Sequence, residues 1–87
     1  MAKHDPLAVE ELPTTAISAN PRNARTHSDR QIAKIAASIA EFGFTNPVLI
    51  DENDVLIAGH GRLEAAKRLG IEKIPTIRIS HHILTAV

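Results

Sequence analysis

The chain has 87 residues, enough for one small domain that buries about 60–65% of its unfolded surface. Hydrophobic residues at 44% and charged residues at 23% give a globular composition, and the absence of cysteine excludes disulfides, thiolate metal sites and thiol catalysis. Ten basic residues balance ten acidic ones, which argues against gripping nucleic acid by bulk charge; no run reaches the roughly 18 apolar residues of a membrane span, so cytoplasm is expected and no membrane partner.

Residues 1–15 contain Pro6 and Pro13 and show no period, so they read as an N-terminal arm ahead of a domain over 16–87. Ala16-Ile17-Ser18 is a short strand candidate, and residues 19–30 are loop by composition, with Asn20-Pro21 favouring a turn. Ser28 and Gln31 have capping-box spacing, and Ile32, Ile35, Ala36 and Ile39 share one helical face, which predicts a helix over 29–42. Gly43 fits the position past its end, where Phe44 can fold back onto Ile39. Two apolar runs, 47–51 and 55–59, flank Glu52-Asn53-Asp54 and predict an antiparallel hairpin. Because both runs are apolar throughout, the sheet is expected to be covered on both faces. A second helix is predicted over 61–69, stopped by Gly70, and a strand over 74–79. The tail from Ser80 carries His81 and His82, whose side chains would diverge in a strand, so no metal is expected there. The sum is a small α+β domain.

The junction Gly59-His60-Gly61-Arg62 carries the chemistry. A strand that turns directly into a helix gathers backbone N–H groups in one small space, and flanking glycines allow a ligand to approach the backbone. Arg62 opposes the helix dipole by about 0.3–1 kcal/mol, a sign that a bound phosphate would reverse. The junction lacks the Lys-Ser/Thr of a P-loop and the third glycine of a dinucleotide fingerprint. It is also compatible with a plain turn in which Arg62 lies on the surface near Glu64 or Glu72.

Four segments in order resemble the ParB N-terminal domain, within the ParB/sulfiredoxin-like fold: "NPRNAR" (20–25), "IAASIAEFGFTNPVLID" (35–51), "VLIAGHGRLEAAKRLGI" (55–71) and "IPTIRI" (74–79). The string "GHGRLEAAKRLG" is closest to ParB-like domains fused to DNA methyltransferases, so the chain is read as either a fragment of a longer protein or a short relative. The resemblance implies two main helices, a short mixed sheet and a nucleotide pocket. Partition ParB proteins bind CTP there and sulfiredoxins bind ATP. The family's Gly-Glu-Arg-Arg box falls on Gly59, His60, Gly61 and Arg62, so His60 replaces a glutamate and Gly61 an arginine. One triphosphate cation is thereby lost. The sulfiredoxin cysteine falls on His60, which excludes that chemistry. By the same resemblance Thr45 and Asn46 face the nucleotide, and Arg22 and Arg25 lie near nucleotide or DNA.

The leading expectation is a nucleotide- or phosphate-binding module of DNA-handling machinery, taking CTP or ATP with Mg²⁺, contacting DNA in the context of a full protein and able to form a homodimer. Two other readings stay open. One is a ParB-like nuclease using Asp51, Glu52 and Asp54, or a weak nucleotidase; the other is a non-catalytic protein- or DNA-interaction domain with a vestigial pocket.

Overall fold

The computed structural model describes residues 8–19 and 27–79. Five strands, β1 (Val9–Pro13), β2 (Ser18–Ala19), β3 (Val48–Ile50), β4 (Val55–Ala58) and β5 (Lys73–Arg78), accompany two helices, α1 (Asp29–Phe42) and α2 (His60–Leu69). The strands form one mixed sheet in the order β1-β5-β3-β4-β2. β3 pairs antiparallel with β4 and parallel with β5; β1 closes one edge antiparallel to β5, and β2 the other parallel to β4. The α+β class with a short mixed sheet and two main helices is the one the sequence implied.

Helix α1 begins where its cap dictates. Ser28 Oγ accepts from the Gln31 N–H at 3.1 Å, and Gln31 Oε1 accepts from the Ser28 N–H at 3.2 Å. Ser28→Ala should lower stability by about 1 kcal/mol, read as a loss of about 4–8 °C in a thermal melt. The helix ends on Gly43, whose φ of 84° permits its N–H to donate to Ile39 O at 2.8 Å.

The core lies between the sheet and α2, where Val48, Ile50, Leu56 and Ile74 are fully buried with Ile17, Leu63 and Ala66 around them. Ile32 and Ile39 of α1 form a second cluster on Ala65 of α2, and Phe44 and Ile71 touch both clusters. Helix α1 thus rests chiefly on α2. Among the described residues the expected cover on both faces is not found: the two helices stack on one another, which leaves one of them to cover the sheet. Among the described residues Leu49 and Ile77 stay only partly buried, and Ile57 is 37% exposed.

Residues 9–13, read from sequence as part of an arm, form the edge strand β1. Their pattern is exposed except for half-buried Leu12, so the pairing rests on the ladder with β5 rather than on apolar alternation. Arg78 fastens this edge. Its Nη1 donates to Asp54 Oδ1 at 2.6 Å and to Asp51 O at 3.2 Å, while its Nε lies 3.5 Å from Glu10 Oε2. The hydrogen bond to Asp54, opposed by partial burial, holds the guanidinium above its ordinary pKa.

Candidate phosphate site at the mouth of the second helix

The chain passes from β4 into α2 through one residue. Gly59 adopts the left-handed region, with φ 104° and ψ 25°, and its carbonyl accepts the Leu63 N–H at 2.9 Å to open the helix. A Cβ at this position would stand 2.7 Å from Val48 Cγ1, so both torsion and space demand glycine. Gly59 offers α2 no side-chain cap and the first turn holds no acid, whereas Lys67 and Arg68 occupy the last turn. The first-turn N–H groups have no carbonyl one turn earlier to meet, and they carry the positive end of the helix dipole. The mouth is electrostatically suited to an anion.

Arg62 lies across this mouth. Its Nη2 donates to Pro47 O at 3.0 Å, while Nε is buried and has no hydrogen-bond partner among the described residues. The guanidinium therefore sits between α2 and the loop at 43–47, not out in solvent. One cavity of about 350 Å³ is lined by Gly59, His60, Gly61 and Arg62 together with His27 and Ile35. A second, of about 240 Å³, is lined by Ser38, Phe44, Thr45, Asn46 and again Ile35 and Arg62. Arg62 and Ile35 are shared, which makes the two cavities neighbours. Among the described residues no carboxylate lines either one. Glu64 and Asp29 instead approach Arg68, at 3.8 Å and 2.9 Å.

The sequence-predicted residues thus fall into two groups that Arg62 joins. His60 begins α2 half-buried, with Nε2 inaccessible. Gly61 is buried, and a Cβ there would stand 2.7 Å from Ile35 Cδ1, so it also serves close packing of the helices. Thr45 and Asn46 are exposed on the second cavity. Arg22, Arg25, His81 and His82 lie outside the described residues. Sequence reasoning missed His27, Ile35 and Ser38. Their approach to the site depends on how α1 packs on α2, and the one available signal was that Ile35 lies on the apolar face of α1.

The acidic group lies elsewhere, at the opposite end of β4. Asp51 Oδ1 accepts the N–H groups of Asn53 and Val55 at 2.8 and 2.9 Å, and Asp54 pairs with Arg78. Among the described residues no three His, Cys, Asp or Glu side chains cluster so as to hold a metal ion. Asp51→Ala should cost about 1–2 kcal/mol by thermal melting and leave anion affinity at the α2 mouth unchanged.

Comparison with known proteins identifies the family and the fold. The family model for the ParB N-terminal domain matches residues 2–82. The ParB-like nuclease domain-containing protein YnaK of Escherichia coli is 47% identical over 74 residues, covering 85% of both chains. The probable chromosome-partitioning protein ParB of Treponema pallidum is 40% identical over 79% of this chain, which spans 23% of that relative. Among solved structures, the truncated chromosome-partitioning ParB of Caulobacter crescentus complexed with CTP-gamma-S superposes with TM-score 0.77 at 25% identity, over 84% of this chain and 44% of that one. Sulfiredoxin from Arabidopsis thaliana shares the fold at TM-score 0.75 and 21% identity, over 88% and 92% of the two chains.

Proposed function

The chain belongs to the ParB N-terminal domain family, and from that premise we propose that it is a nucleotide-binding module of cytoplasmic DNA-handling machinery. The observation that carries this reading is the position of Arg62, which lines both cavities and whose buried Nε has no hydrogen-bond partner among the described residues. Phosphates would sit over Gly59, His60, Gly61 and Arg62, where backbone N–H groups and the guanidinium share the charge. The nucleoside would lie over Gly43, Phe44, Thr45 and Asn46. The CTP analogue in the Caulobacter crescentus neighbour makes CTP the first ligand to test. The residues present suit the phosphates, since no carboxylate opposes them among the described residues; an accompanying Mg²⁺ would take its ligands from phosphate oxygens and water. DNA contact, with Arg22 and Arg25 as candidates, and a nucleotide-linked homodimer belong to the same reading. So does a longer protein of partition or methyltransferase type.

The nuclease reading receives no support from the acids at the β3–β4 turn, which build the turn and pair with Arg78. Titration of isotope-labelled protein with CTP and Mg²⁺, and separately with ATP, tests the proposal. Saturable shifts at the amides of 59–63 and 43–46 are expected. Unchanged spectra at millimolar concentrations of both nucleotides would leave the vestigial-pocket reading in its place.

A further inference from the structure

We infer that His27 is an anion-recognising residue of the first cavity and makes its affinity depend on pH; the inference rests on the phosphate reading above and deepens it. His27 precedes the cap of α1 and is half-buried. A Cβ on Gly61 would stand 3.4 Å from both its Cε1 and its Nε2. The ring edge carrying Nε2 therefore lies close to Gly61 in the first turn of α2 and lines the same cavity as Arg62. Glycine at 61 allows that approach.

The charge inventory gives the contact its meaning. Among the described residues, the titratable groups lining the cavity are His27, His60 and Arg62, and each can carry positive charge. Ile35, contributed by α1, is apolar. The acids nearest in sequence on the two helices, Asp29 and Glu64, lie against Arg68. Imidazole changes charge between about pH 5 and pH 8, and a phosphate beside it favours the protonated ring. Among the described residues lining the cavity, Arg62 is the one permanent side-chain cation. A protonated imidazole at that place would set a second cation beside a bound anion. This arrangement strengthens anion binding as pH falls.

The test uses sulfate, whose charge is constant over the range, followed through the amides of 59–63 at about pH 5.5 and about pH 8. Wild-type protein should bind sulfate about tenfold more tightly at the lower pH, and His27→Gln should lose most of that gain while matching wild type at the higher pH. Saturating sulfate should also move the His27 ring titration in wild-type protein upward by about one pH unit, a readout independent of the variant's folding. Equal wild-type affinity at both pH values, full pH dependence in His27→Gln, or an unmoved His27 titration would each overturn the role of His27. Absence of any sulfate binding at either pH would overturn it too, and would strike at the phosphate site itself.

Discussion

Arg62→Ala should weaken CTP binding by about 10- to 150-fold while changing stability by about 1 kcal/mol or less. The first figure follows from the value of a charge-assisted hydrogen bond, about 1.5–3 kcal/mol. The second follows from two terms of opposite sign. The variant loses the 3.0 Å contact to Pro47 O, but it also removes a buried Nε with no partner among the described residues. An unpaired buried donor costs about 1–3 kcal/mol, so the fold retains Arg62 at little net gain to itself. That balance is expected of a residue kept for a ligand. Calorimetric titration and a thermal melt on the same variant separate the outcomes. Intact affinity would remove Arg62 from the site, whereas a large loss of stability would make it a staple between α2 and the 43–47 loop. Arg62→Lys should fall between, since one ammonium cannot hold the Pro47 carbonyl and an oxyanion in the fixed fork that guanidinium supplies.

Gly59→Ala should be the most damaging single change at the junction, lowering stability by about 2–5 kcal/mol. Left-handed backbone costs an L-residue about 1–2 kcal/mol, and at φ 104° no relief comes from a local polar side chain. The new methyl would also meet Val48, whose Cγ1 and Cβ lie 2.7 and 2.9 Å from its position and which is itself fully buried. Overpacking of this kind adds about 1–3 kcal/mol. In a domain of this size the melt should shift by about 10 °C or more. A double-mutant cycle with Val48→Ala isolates the steric part: favourable coupling of about 1 kcal/mol or more is expected, and additivity would assign the whole cost to the backbone.

How much of this was legible beforehand depended on range. Helix α1 was readable from Ser28 to Phe42 because its cap and its apolar face are local properties. The β3–β4 hairpin was equally local, its turn carried by Asp51 and Asn53. Strand β1 was missed because an exposed edge strand has no apolar alternation to betray it, and its partner Lys73–Arg78 lies far along the chain. At the site, the Gly59–Arg62 cluster was visible as a junction whose residues oppose the usual preferences of a helix start. The meeting of Arg62 with Pro47, and of Gly61 with His27 and Ile35, required the tertiary stacking of α1 on α2. A glycine's spacing reveals that something comes close, not what. The acids at 51–54 illustrate the converse: their clustering invited a catalytic reading, and hydrogen bonds within the turn together with Arg78 account for Asp51 and Asp54.

The central claim is that the guanidinium of Arg62 and the amides opening α2 receive a negatively charged group. A crystal structure of this chain grown with CTP-gamma-S and Mg²⁺ tests it most directly. The account predicts phosphate oxygens within hydrogen-bonding distance of Arg62 and of the His60 and Gly61 N–H groups, with the nucleoside against Thr45 and Asn46. Nucleotide bound elsewhere, with Arg62 still engaged by Pro47 alone, would contradict it.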